Sequence, residues 1–224
     1  MSEDRVRSGY DAVAATYAAQ FSDELDHKPL ERGLLSAFCE MAPPGPVADI
    51  GCGPGHITAF LSDRRTDVVG LDLSQEMIAV ARRHHPELSF AVASMLDLPY
   101  PDDAWAGAVA IYSIIHFDPT ERLRAFSEFA RTLRPDGLLL LSFQVDGSGF
   151  APGDVNHLQT FLGHHVAMDG YFLDPDVVKQ DLVTNGFRIQ ARLDREPIAD
   201  IEFGSRRCYM LARLAVPSSN GPRS

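Results

Sequence analysis

The chain has 224 residues, enough for one domain with a sizeable core, and 45% of them are hydrophobic, which excludes a disordered chain, a disulfide-stapled miniprotein and a collagen-like fibre. Its formal charge of −11 repels a phosphate backbone and weighs against a nucleic-acid or anionic-membrane partner. Cys39, Cys52 and Cys208 are odd in number and lack CxxC spacing, which argues against a metal cage or disulfide framework and for a reducing compartment. The start MSEDRVRSGYDAV has no apolar signal core, and no apolar stretch approaches the ~20 residues that span a bilayer. A soluble cytoplasmic protein is expected.

In chain order, a helix is expected over 5–24, where Val6, Tyr10, Val13, Tyr17 and Phe21 recur on one face. A second follows at about 28–41 and stops at Pro43-Pro44-Gly45-Pro46. Beyond that breaker, short apolar runs alternate with amphipathic segments. Strands are expected at 47–50, 68–71, 88–92, 105–112 and 138–143, with helices at about 56–63, 74–85 and 119–133 between them. Strands apolar on both faces and separated by helices predict a parallel sheet covered on each side, an α/β fold. A helix near 175–185 and strands at 187–193 and 207–214 complete the pattern. One domain over 1–216 is expected, with 1–42 as a helical lid, 146–172 as an insertion over the active site, and a disordered tail at 217–224.

The most informative stretch is Asp49-Ile50-Gly51-Cys52-Gly53-Pro54-Gly55-His56, at the end of the first strand. Glycines let the backbone turn sharply and approach a ligand, and the following helix presents free N–H groups. The spacing is G-x-G-x-G, not the G-x-G-x-x-G of a dinucleotide site, and Asp49 would repel a pyrophosphate but tolerate an ammonium. Asp72 closes the second strand about 20 residues after Gly51, where an acid accepts ribose hydroxyls. A ribose acid beside an ammonium-tolerant loop suggests S-adenosylmethionine (SAM).

On these residues, together with Leu98-Pro99-Tyr100-Pro101-Asp102-Asp103-Ala104-Trp105 and Leu133-Arg134-Pro135-Asp136-Gly137, the chain resembles the class I SAM-dependent methyltransferases over about 6–214. The resemblance implies a Rossmann-like, seven-stranded, mostly parallel sheet with an N-terminal helical lid. It also implies SAM as cofactor and S-adenosylhomocysteine (SAH) as product. Asp49, Gly51, Cys52, Gly53, Gly55 and His56 match the loop around the methionine moiety, and Asp72 the ribose acid. Leu73 and Met77 would flank the adenine. Ser94-Met95-Leu96 stands where many members carry an acid, so adenine contacts there would come from backbone and the serine hydroxyl.

Methyl transfer from a sulfonium is an in-line displacement, helped by alignment and water exclusion, with a base needed only if the acceptor keeps its proton. Tyr112-Ser113-Ile114-Ile115-His116 is similar to a segment of a bacterial small-molecule subgroup. That places Tyr112 and Ser113 by the methionine moiety and His116 towards the acceptor, unless His116 caps the next helix. His164, in the extended segment 163–172, is a second candidate base, unless it is an ordinary surface histidine; Tyr112 is the third catalytic candidate. Tyr10 and Tyr17 would reach SAM from the lid, and Tyr17, Phe21, Phe143 and Tyr171 would line a pocket for a flat acceptor. The expected function is methylation of O, N or an electron-rich ring carbon of a small, aromatic metabolite of secondary metabolism, with no metal. The alternatives are an NAD-linked oxidoreductase and a non-catalytic SAM-binding protein on the same fold.

Overall fold

A computed structural model describes residues 2–216, so the expected tail at 217–224 lies outside the described residues. The first half runs α1 (Ser2–Phe21), a 3-10 turn Glu24–His27, α2 (Pro29–Met41), β1 (Val47–Ile50), α3 (His56–Ser62), β2 (Val68–Asp72), α4 (Gln75–His84), β3 (Ser89–Val92) and β4 (Trp105–Ile111). The second half runs from a 3-10 turn Ile114–His116 through α5 (Pro119–Thr132), β5 (Leu133–Gly147), β6 (Val155–Phe161), β7 (His164–Tyr171), α6 (Pro175–Thr184) and β8 (Phe187–Arg195) to β9 (Ser205–Leu214).

Local chemistry accounts for the helix starts. The Asp118 side chain accepts from the N–H groups of Thr120 and Glu121, Glu121 returns the bond to Asp118, and Pro119 opens α5. Ser74 and Asp174 cap α4 and α6 in the same manner. His116 therefore does not cap α5.

The main sheet has seven strands in the order β3-β2-β1-β4-β5-β9-β8, parallel except that β9 runs antiparallel to both β5 and β8. This is the Rossmann-like sheet expected from the sequence. Every residue of β1 and β4 is buried, as in a sheet covered on both faces. Alternation along β5 divides the core. Leu138 and Leu140 join Leu35, Phe38, Ile57 and Leu61 on one side. Leu139, Leu141 and Phe143 join Phe126, Phe129 and Leu182 on the other.

Residues 155–171 form a separate antiparallel hairpin, β6–β7. Helix α1 is not part of the sheet's core. Val13, Ala14 and Ala18 bury themselves against Met77 and Val80 of α4 and Val166 and Met168 of the hairpin. No helix among the described residues is long and apolar enough to cross a membrane.

Candidate functional site

Strand order reverses between β1 and β4, and open α/β sheets bind ligands at the carboxyl ends of strands beside such a switch. The glycine loop lies there. Gly51 and Cys52 N–H both donate to the Leu71 carbonyl, at 2.7 and 2.9 Å, tying the loop to β2. At Gly51, where φ is +80°, a Cβ would stand 2.3 Å from that of Ser113; at Gly55 it would meet the Phe90 ring at 2.8 Å. At Gly53 it would meet only the Tyr17 ring edge, at 3.9 Å, so this glycine leaves room for a ligand along the backbone.

Asp72 accepts from Gly53 N–H at 2.9 Å and from Ser74 N–H at 2.8 Å, one bond per carboxylate oxygen. Each oxygen keeps acceptor capacity, which suits a pair of ribose hydroxyls. Burial pushes the Asp72 carboxyl up to about 6, against the pull of those backbone donors. The cavity here is bordered by Gly51, Gly53, Asp72, Leu73, Met77 and Met95, and by Tyr10, Tyr17, Tyr112 and Ser113 from the other side. An adenosine with a methionine tail fits these residues by chemistry: an acid for ribose, an open glycine, and Leu73, Met77 and Met95 for a flat base.

Six residues expected at the cofactor do not border that cavity. Asp49 lies beneath the loop and accepts from Thr58 Oγ1 at 2.6 Å; burial pushes it up to about 6. Cys52 packs with Ile78 and Phe90, Gly55 lies tight against the Phe90 ring, and Leu96 is in the core. The Ser94 hydroxyl turns to Glu3 of α1, and His56 Nε2 lies 3.0 Å from Glu24 Oε1. Strand parity and helix winding explain these positions: one loop cannot turn every consecutive residue to the same ligand.

Helix α1 closes the crevice. Asp11 accepts from the Ser74 hydroxyl at 2.6 Å and from Glu76 N–H at 3.2 Å, and Arg5 pairs with Asp169 at 3.2 Å. With α1 docked, the cofactor cavity is about 90 Å³, far below the ~300 Å³ at the low end of small-molecule sites. Admission of a nucleoside therefore requires bordering residues, among them Tyr10 and Tyr17 of α1, to shift.

A second cavity, about 590 Å³, shares Tyr10, Tyr17, Tyr112 and His116 with the first. At the junction His116 Nδ1 lies 2.7 Å from the Asp169 carbonyl, so Nδ1 donates there and Nε2 accepts the Tyr10 hydroxyl, also at 2.7 Å. Burial lowers the His116 pKa, partly offset by Asp169. Tyr17, Phe21, Phe161, Met168 and Phe172 line this cavity.

The structure moves three residues away from the roles expected of them. His164 shares the inward face of β7 with Val166 and Met168, but it lies at the hairpin's turn, bonds Thr16 Oγ1 at 3.2 Å and borders neither cavity. Phe143 is fully buried in the sheet core; its neighbour Gln144 faces the cavity instead. Tyr171 packs against the core edge and borders neither cavity. Tyr112 does line both, at φ +52°, yet its hydroxyl turns away to Tyr209 at 2.6 Å and Glu31 at 3.3 Å. Burial pushes that phenol well above its usual value, which favours its protonated form.

The charged end of the second cavity is not anticipated by sequence spacing. Lys28, Glu24, Glu202 and Arg207 meet there from α2's start and the β8–β9 region. Lys28 is 2.6 Å from Glu24 and 3.4 Å from Glu202. Arg195 grips both Glu202 oxygens, at 2.6 and 2.7 Å. Burial opposes ionisation of Glu202, but Arg195, the Ile198 N–H, Arg207 and Lys28 hold it down to about 2. The only hint was that Lys28 and Glu24 are one helical turn apart.

Residues 47–137 match the family model of a methyltransferase domain. The chain is 37% identical over 127 residues to the trans-aconitate 2-methyltransferase of Methylobacterium nodulans, covering 54% of this chain and 47% of that one. It is 29% identical over 173 residues to an O-methyltransferase of Pyrenophora dematioidea, covering 73% and 62%. The chain thus spans between 47% and 62% of the length of these two curated relatives. Among solved structures, the DhpI–SAH complex has the same fold, with a TM-score of 0.72 at 22% identity over 96% of this chain and 97% of that one.

Proposed function

We propose that this chain is a class I SAM-dependent methyltransferase that transfers a methyl group to O, N or an electron-rich ring carbon of a small, largely aromatic acceptor. One observation carries this reading: the ribose-acid crevice and an aromatic-lined cavity meet under α1, at Tyr10 and His116.

SAM supplies an electrophilic methyl on a sulfonium. Asp72 would receive the ribose hydroxyls, Gly53 would let the ligand come close to the backbone, and Leu73, Met77 and Met95 would flank the adenine. Tyr17 and Phe21 stack on a flat acceptor, and α1 excludes water over both ligands. The Asp169 carbonyl fixes the proton of His116 on Nδ1, so Nε2 is the free lone pair once an acceptor O–H or N–H displaces the Tyr10 hydroxyl. Burial disfavours the imidazolium, so His116 suits an acceptor whose proton is already acidic, such as a phenol.

Calorimetric titration with SAH tests the cofactor assignment. Wild-type protein is expected to bind SAH and not NADH, and Asp72→Ala to weaken SAH by about 1.5–3 kcal/mol, the range for hydrogen bonds to a charged group. Unchanged SAH affinity in that variant refutes the ribose assignment.

A further inference from the structure

The far end of the acceptor cavity is a wall of buried cations with donors to spare. Arg207 is only 4% exposed and Lys28 5%, and both border the cavity. The Arg207 Nη1 donates to the Phe203 carbonyl at 2.8 Å, to the Ser205 carbonyl, and to Ser205 Oγ at 3.2 Å. Its Nε has no hydrogen-bond partner and stands 3.4 Å from Glu202 Oε1. Among the described residues nothing is hydrogen-bonded to its Nη2. Lys28 makes one hydrogen bond, to Glu24, out of three possible.

The acids beside them are already engaged. Glu24 gives one oxygen to His56 and the other to Lys28. Glu202 has both oxygens on Arg195, and one also takes the Ile198 N–H. Glu31 is buried with its carboxyl pushed up by that burial, while Glu24 and Glu202 are held down in their ionised forms. The Glu31 carboxylate group accepts from the Tyr209 hydroxyl at 2.7 Å and lies 3.8 Å from Arg195, and Asp200 stands at the exposed rim. The acids of the buried cluster are thus engaged within it, while Lys28 and Arg207 keep unused donors at the cavity wall, which suits one small anionic group.

We propose that Arg207 and Lys28 receive a carboxylate of the acceptor, so that the substrate class is small aromatic or apolar carboxylic acids. The proposal rests on the methyltransferase reading. The carboxylate is assigned to the acceptor and not to the methionine tail of SAM because neither cation borders the cavity of Gly51, Gly53 and Asp72, and none of those three borders the cavity of the cations. Held by two cations, it is a poor nucleophile. It anchors the acceptor while another atom, at the Tyr10–His116 end, takes the methyl. Tyr17, Phe21, Phe161 and Phe172 cover the apolar body between the two ends.

The test uses SAH-loaded full-length protein and two probe pairs, indole-3-acetate with indole-3-acetamide and 4-hydroxyphenylacetate with its amide, with binding read by calorimetry or ligand-observed NMR. At least one carboxylate is expected to bind tenfold or more tightly than its amide. Arg207→Gln and Lys28→Gln should each cut that ratio below about threefold, Arg207→Lys should keep most of it, and SAH affinity should stay within about twofold. Circular dichroism checks folding; if Arg207→Gln unfolds, Lys28→Gln and Arg207→Lys decide the matter. Absence of carboxylate binding, equal binding of acid and amide, or a preference that survives the glutamine variants overturns the proposal. A tenfold loss of SAH affinity with the preference unchanged also overturns it, and gives the pair to the cofactor's own carboxylate. If wild-type protein fails to bind SAH at all, the methyltransferase reading falls instead.

Discussion

Asp72 offers a direct measurement of what the cofactor site costs the fold. Burial pushes its carboxyl up to about 6 in the folded protein, against a usual value near 3.9. The folded state therefore binds a proton more tightly than the unfolded chain. The contribution of Asp72 to stability is greatest below about pH 4, is lost as pH rises from 4 to 6, and stays lost above that. Roughly two pKa units correspond to about 2–3 kcal/mol at neutral pH. Asp72→Asn removes the titration but keeps the shape, so the apo variant should be more stable than wild type by about 2–3 kcal/mol at pH 7.5 and nearly equal to it at pH 4. By thermal unfolding this is a rise in Tm of roughly 4–12 °C, at about 2–4 °C per kcal/mol for a chain of this size. The same variant should bind SAH more weakly, since an amide replaces one acceptor with a donor. Paired melts at the two pH values, with and without SAH, decide it. A Tm difference that does not depend on pH, or an Asp72→Asn protein no more stable than wild type at pH 7.5, refutes the reasoning.

His116→Gln should reduce turnover about 100-fold or more while SAH still binds, and the acid limb of the kcat–pH profile, lying below the usual histidine value of about 6.5, should vanish. Backbone amides of Ser2–Phe21 should exchange more slowly with SAH present, because Tyr10 and Tyr17 of α1 border the cavity it enters; identical rates in both states would show a helix with no gating part. Phe143→Ala should lower stability by about 3–5 kcal/mol, as expected for a void in the sheet core, whereas a pocket residue would change acceptor KM at little cost in Tm.

How much of this could be read from the sequence depended on how local each feature is. The glycine loop and Asp72 are fixed by a strand end and a short turn, and of the residues expected there Gly51, Gly53 and Asp72 border the cavity while Asp49 and Gly55 do not. Phe143 could not be placed in that way. The run Leu138–Phe143 is apolar on both faces, and only the helices packed on each side decide which residues point where. For His164 strand alternation allows only one of the two neighbouring histidines to face inward, the resemblance chose His164, and neither told where the hairpin would sit on α1. The cationic wall was hidden because Lys28 and Arg207 are far apart in sequence and meet only through the sheet order.

The interleaving of β9 has a bearing on synthesis. Strand β9 follows β8 in the chain but lies between β8 and the fifteen-residue β5. Until residues 205–214 leave the ribosome, β5 has an open edge along Leu138–Gly147 and β8 has no partner. Such an edge is ready to pair with another nascent chain. Arg207 and Tyr209 arrive with the same strand, so the larger cavity and the sheet are completed in one event. A polypeptide arrested before residue 205 is expected to be a substrate for chaperones rather than a partly active enzyme.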